Sequence, residues 1–211
     1  MTSPPAAGWR RRVNRQWILV ARPTGLVDES CFELRRAEVP SPGPGEALVR
    51  VVWLGFDPTQ RGWLNDGPNY LDPVPLGAVM RGSGVGQVVA SNSAEYAVGD
   101  WVYGMVGWQD YVLASGQGLL GLNVVPPGVD PKAMLGIFLD YLDRFPEAFA
   151  RLHRWLAEGR IMYAEDVAEG FDRAPALLRG LFEGRNVGKQ LLRVAECSSP
   201  RGGREWGTVV S

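Results

Sequence analysis

The chain has 211 residues, 45% of them hydrophobic and 21% charged, with a formal net charge of −1 at pH 7. That length suits one domain with a substantial core, and so small a charge argues against a nucleic-acid partner or an anionic membrane surface. No apolar run approaches the ~20 residues needed to span a bilayer, so a cytoplasmic chain is expected.

Glycine (27) and proline (16) are frequent, which favours turn-rich β architecture over a helix bundle. Arg10-Arg11-Arg12 precedes the apolar stretch Trp17–Ala21. That stretch is shorter than the roughly 7–15 residues of a signal-peptide core. Residues 1–15 are therefore expected to be a disordered tail, leading into a strand over Trp17–Arg22. Cys31–Val39 alternates apolar and polar residues, a strand pattern. Pro40-Ser41-Pro42-Gly43-Pro44-Gly45 is a rigid turn, and Glu46–Gly55 reads as a long strand. Gly84–Ser91 and Asp100–Ala114 supply further strands, so residues 16–138 suggest a partly closed barrel or sandwich.

At about residue 139 the pattern changes. Phe145, Phe149, Leu152, Trp155 and Leu156 recur at helical spacing up to Gly159, a C-capping residue. A second helix is predicted over about 174–183, ending at Gly184, before a returning strand at Gln190–Val194. Residues 139–196 would thus complete the barrel, and the Gly/Ser/Arg-rich residues 197–211 read as a disordered tail. Cys31 and Cys197, the only cysteines, form no zinc spacing and no disulfide framework. A reduced chain is expected, with a bridge between them still open.

Several short motifs occur in a fixed order. They are Asp57-Pro58-Thr59-Gln60-Arg61-Gly62, Val79-Met80-Arg81-Gly82-Ser83-Gly84-Val85-Gly86, Gly99-Asp100-Trp101-Val102-Tyr103-Gly104, Gly107-Trp108-Gln109-Asp110-Tyr111 and Asn186-Val187-Gly188-Lys189. Together they resemble the medium-chain dehydrogenase/reductase superfamily, in its zinc-free enone reductase branch of prostaglandin/leukotriene and alkenal double-bond reductases. The resemblance implies a GroES-like, partly open β-barrel with flanking helices, mainly β in class. It also implies NADPH as the family's hydride donor. The zinc-dependent branch has Cys near Phe56-Asp57 and Gly-His-Glu at Arg81-Gly82, and neither is present. The one histidine, His153, has no ligand-type partner at i±4 and reads as a surface or boundary residue.

The resemblance also exposes a join. Leu135-Gly136-Ile137-Phe138 matches the end of the substrate half, and Leu139–Ala148 matches the family's last stretch. The Rossmann domain that the family places between them, on the order of 130–150 residues, is absent. No cofactor is therefore expected for this chain alone. Gly116-Gln117-Gly118-Leu119-Leu120-Gly121 has the spacing of a dinucleotide loop, and Asp140 lies about twenty residues on. The next residues, Leu122–Gly128, do not open a helix, so the motif reads as a turn between strands. Gly82–Gly86 reads as close backbone packing.

In the resembling reductases the Asp-Pro-Tyr-Met-Arg-Gly segment borders the enone pocket, and Thr59 and Gln60 stand at its Tyr and Met positions. Trp63, Asn69 and Tyr70 join them as candidate substrate-binding residues, with barrel packing and a turn as the alternatives. Tyr70, Arg81 and Asp57 are the candidate catalytic residues: Arg81 to polarise a carbonyl, Asp57 as a possible ion-pair partner of Arg61. Asn186 matches a nicotinamide-contacting position and is read as vestigial or as holding a turn. No metal is expected. The expected ligand is a small apolar carbonyl or enone, turned over without hydride transfer by cyclisation, isomerisation or conjugate addition. The alternatives are an accessory protein for a full-length reductase and a degenerate oxidoreductase. The apolar face of the 141–159 helix, without the sheet it would cover, predicts a homodimer.

Overall fold

A computed structural model describes residues 12–67, 69, 71–118, 120–136 and 145–196. The join at 138/139, Tyr70, Asp140 and Cys197 lie outside the described residues, as do most of the two expected tails.

The fold is an antiparallel ribbon joined to an open seven-stranded sheet. In the ribbon, β1 (Val13–Leu19) pairs with β2 (Phe32–Glu38), Leu19 opposite Phe32. The sheet consists of β3 (Ala47–Gly55), β4 (Ser83–Ser91), β5 (Trp101–Met105), β6 (Tyr111–Ala114), β7 (Leu122–Val124), β8 (Glu165–Glu169) and β9 (Lys189–Arg193). Its order is β7-β5-β4-β3-β9-β8, with β6 also on β3. All pairs are antiparallel except β8 with β9. The mainly β class with flanking helices holds, and no ladder closes the sheet among the described residues. The ribbon docks through the bridges Gln16↔Gln109 and Ile18↔Val79.

β3 is apolar except for Arg50 because it is central: seven of its nine residues are buried. Its outer edge is divided. Ala47–Arg50 pairs with β6, whereas Trp53–Gly55 pairs with β9. Between the two ladders, Val51 N–H donates to Asp110 O, and Val194 N–H donates to Val52 O, each at 2.8 Å. On the other edge β4 approaches so closely that a Cβ on Gly86 would lie 2.6 Å from Arg50 O and 2.5 Å from Val49 Cγ1. Gly84, where a Cβ would lie 2.7 Å from Trp53 O, and Gly86 thus serve close backbone packing, whereas Gly82 lies against the Trp108 and Gln60 side chains.

The main core gathers Leu19, Phe32, Phe56, Met80, Trp108 and Leu178. A smaller cluster of Val85, Leu135 and Leu191 is flanked by Trp53, Trp101 and Tyr103. Leu135 arrives on the 3-10 turn Pro131–Gly136. Of the helices, α1 (Thr59–Gly62) is a single turn and α2 (Phe145–Ala157) covers the predicted helix. α3 (Ala174–Phe182) buries Leu177 and Leu178, with Pro175 in its first turn, where a missing N–H costs nothing.

Four expectations need correction. β1 starts at Val13, four residues before the predicted strand and inside the predicted tail. Its polar residues find distant partners: buried Asn14 accepts from Tyr111 N–H at 2.9 Å, and Arg15 pairs with Asp110 at 2.9 Å while lying over Phe171. Second, the alternation in β2 does not produce a buried face. Only Phe32 is buried, because β2 is the outer strand of the ribbon and β1 makes the contacts with the sheet. Third, Asp100–Ala114 is not strand throughout: beside the expected strand Tyr111–Ala114 it holds only Trp101–Met105, with Gly107 at a positive φ between them. Fourth, β8 was not predicted. Its Glu-Asp-Val-Ala-Glu sequence tolerates charge because it is a sheet edge.

Gly86→Ala is expected to destabilise the fold by about 3 kcal/mol, since backbone atoms rather than flexible side chains occupy the space. Urea unfolding measures this, and a loss within error of zero would contradict the β3–β4 geometry.

Candidate functional site

The Asp57–Gly62 segment leaves β3 at its C-terminal end and turns at once into α1. Asp57 accepts from Thr59 N–H at 3.0 Å, the side-chain-to-backbone bond for which Asp is favoured in turns. Its other oxygen lies 3.6 Å from Lys189 Nζ at the start of β9. Lys189 is held there by Lys189 N–H donating to Ala164 O at 2.8 Å. Gly188 permits this approach: its φ is +83°, and a Cβ would come within 2.2 Å of Ala164 O. Asn186 donates to Gly188 O at 2.7 Å, so it holds this turn. Asp57, exposed Thr59, Lys189 and Asn186 therefore share one end of the sheet, where the amino-terminal and carboxy-terminal parts of the chain meet.

The remaining candidates form a second group. Arg81 lies over the Trp63 ring, 5.4 Å from its centroid, and donates to Asp72 O at 2.7 Å. Asn69 is exposed and sits beside Gly62, where a Cβ would be 2.8 Å from its Nδ2. Trp63 is 3% exposed and belongs to the main core, so it packs and does not present a surface to a substrate. Gln60 is 1% exposed and donates to Gly55 O at 3.1 Å, so it too faces inward. A one-turn helix with Thr59 outward places the next residue inward. The expected Asp57–Arg61 pair does not form: Arg61 donates to Asn65 and to Gly25 O, while Asp57 takes Lys189. Tyr70 lies outside the described residues.

The dinucleotide-like loop is closed on itself. Gly121 N–H donates to Gly118 O, Leu122 N–H to Gly116 O, and Gly118 N–H to Asn123 Oδ1, within 3.0–3.2 Å. Those three N–H groups are therefore taken within the loop, and a strand, not the helix that would face a pyrophosphate, comes next. The loop does not fit a dinucleotide. Among the described residues no His, Cys, Asp or Glu cluster is arranged to hold a metal ion. None of the described helices is long and apolar enough to cross a membrane.

One ionisable cluster escaped the sequence reading. Lys132 Nζ lies 2.8 Å from Glu165 and 4.0 Å from Asp130, over the Trp53 ring, with Tyr163 beside Glu165. It clamps the 3-10 turn before the join to β8 after it. Burial works against the charged ammonium, but the hydrogen bond and charge of Glu165 and the charge of Asp130 outweigh it. The Lys132 pKa is held above the ordinary lysine value. Burial, then the charges of Glu165 and Asp130, push the Tyr163 phenol up as well. The available signal was scarcity: Lys132 and Lys189 are the only lysines among 22 basic residues, and each makes a part-buried ion pair.

Fold and sequence together define the N-terminal domain of an oxidoreductase. Residues 15–122 match the family model described as the N-terminal domain of oxidoreductase, and the chain belongs to that family. Over 130 residues, 62% of this chain and 37% of the relative, it is 42% identical to the NADPH-dependent curcumin reductase of Escherichia coli (strain K12). It is 30% identical to prostaglandin reductase 1 of Rattus norvegicus over 120 residues, 57% of this chain and 34% of that one. The chain thus spans about a third of the length of the curated relatives it matches. Among solved structures, CurA from Vibrio vulnificus is similar with a TM-score of 0.74 at 23% identity, over 89% of this chain and 100% of that chain. A likeness over that share of the chain takes in both sides of the join.

For Lys132 and Tyr163 the folded pKa exceeds the unfolded one, so their contribution to stability is complete at neutral pH and lost as pH climbs past about 10. The urea midpoint is expected to fall over that range, and to fall less steeply in Lys132→Met. Identical slopes in the two proteins would remove the clamp from the account of alkaline stability.

Proposed function

We propose that this chain is a substrate-side relative of the NADPH-dependent enone reductases that binds a small apolar carbonyl or enone compound. It acts on that compound without hydride transfer of its own. The observation that carries the proposal is the meeting of β9 with β3. It sets Asp57, Thr59, Asn186 and Lys189 at one sheet end, which supports a substrate end there. Three N–H groups of the dinucleotide-like loop are meanwhile taken internally. The relatives named as curcumin and prostaglandin reductases support the carbonyl or enone class.

The chemistry proposed is cyclisation, isomerisation or conjugate addition, in which a positioned cation stabilises developing enolate charge. Lys189, and Arg81 where substrate displaces its bond to Asp72, are the available cations. Mass spectrometry separates the outcomes. Incubation of the purified chain with α,β-unsaturated ketones is expected to give products of unchanged mass, or of mass increased by an added nucleophile. Product gaining two hydrogens with NADPH, or saturable NADPH binding at micromolar concentration, would overturn the proposal.

The partner proposed is a second copy of this chain, docked through α2. The apolar positions of α2 recur on one side, and Leu152 is exposed in the single chain. The side chains of Phe145, Phe149 and His153 lie outside the described residues. Size-exclusion chromatography with light scattering is expected to return twice the chain mass of 23.1 kDa. A clean monomer, or a shift to monomer absent in Leu152→Glu, would count against the α2 interface.

A further inference from the structure

Among the described residues, two buried polar atoms beside Gly82 have no hydrogen-bond partner: the Gln60 amide oxygen Oε1 and the Trp108 indole nitrogen Nε1. Gln60 is 1% exposed and Trp108 0%. The Gln60 amide cannot gain by turning over. Its Nε2 donates to Gly55 O at 3.1 Å, and a flip would set one oxygen against another. Both side chains lie against the same glycine, because a Cβ on Gly82 would be 2.7 Å from Trp108 Nε1 and 3.2 Å from Gln60 Nε2.

The two atoms are complementary to one kind of ligand. An indole N–H only donates, and an amide oxygen only accepts. A single oxygen that accepts from the first and donates to the second satisfies both, and buried polar groups are rarely left without such a partner. Because both atoms are enclosed, that oxygen belongs to a water and not to a substrate hydroxyl. Buried waters typically serve in this way, with about two to four hydrogen bonds each.

We propose that Gln60 and Trp108 hold one buried water beside Gly82, tying α1 to the Met80–Trp108 region of the core. The backbone around it is already paired: Trp108 N–H donates to Met80 O and Gly107 N–H to Gly82 O. In the resembling enone reductases the position of Gln60 carries Met, which offers no such acceptor. The water is therefore a feature of this chain's own glutamine, and it steadies the turn whose outward residue is Thr59.

NMR on the 15N-labelled protein tests this directly. The Trp108 indole N–H is expected to show a dipolar cross-peak to water together with slow exchange. Gln60→Met, close in length and native to the resembling family, is expected to remove that cross-peak while the other tryptophan indole signals stay in place. An indole proton shifted upfield and silent toward water would mean that it faces the neighbouring ring of Phe32 or Phe56 instead, and would overturn the proposal. So would a cross-peak that persists unchanged in Gln60→Met. A crystal structure gives an independent reading that needs no variant: density within about 2.7–3.2 Å of both atoms supports the water, and its absence overturns it.

Discussion

The fold depends on the way one strand's edge is divided between two others. β3 pairs with β6 along Ala47–Arg50 and with β9 along Trp53–Gly55. A strand edge offers a fixed row of donors and acceptors, and neither partner alone fills it. Because β9 fills the second half, the carboxy-terminal segment belongs to the same sheet as the amino-terminal strands. α3 then reaches the main core with Leu178, and Lys189 arrives opposite Asp57. On the opposite face the 3-10 turn carrying Leu135 settles over Val85 and Leu191.

That arrangement puts the amino-terminal and carboxy-terminal segments in one sheet. Its ladder pairs Trp53–Gly55 with Leu191–Arg193. The Lys132–Glu165 clamp reinforces the same connection, reaching across the join from the 3-10 turn to β8. Two ion pairs built on the only two lysines thus sit at the two places where the parts of the chain meet. Each lysine lies beside a carboxylate, and for Lys132 the close Glu165 keeps the ammonium charged against its burial.

Much of this was legible in the residues. β3 is apolar but for Arg50, the Pro/Gly turn at 40–45 precedes it, and the glycines of Gly82–Gly86 announced close packing, which the backbone distances at Gly84 and Gly86 bear out. The ordered motifs carried the family. Side-chain direction was not legible. Asp57 and Arg61 are four apart, which suggests a pair on a helix, yet a single turn of α1 sends Arg61 to Gly25 and Asn65. Gln60 and Trp63 resemble pocket residues by position and are core residues by burial. Asn14 and Arg15 read as tail because the groups that satisfy them, at Asp110 and Tyr111, lie some ninety-five residues away.

By itself, then, the sequence determined the family, the mainly β class, the central strand and the two longer helices, since these arise from local periodicity, turn chemistry and motif order. The tertiary structure decided which residues are partners: Asp57 with Lys189, Lys132 with Glu165, Arg15 with Asp110, and Gln60 and Trp108 beside one glycine. The reason is physical. A hydrogen bond or ion pair needs atoms within a few ångströms, and the folding of β9 onto β3, of β8 beside β9 and of β1 against the Gly107–Tyr111 segment brings distant parts of the chain that close.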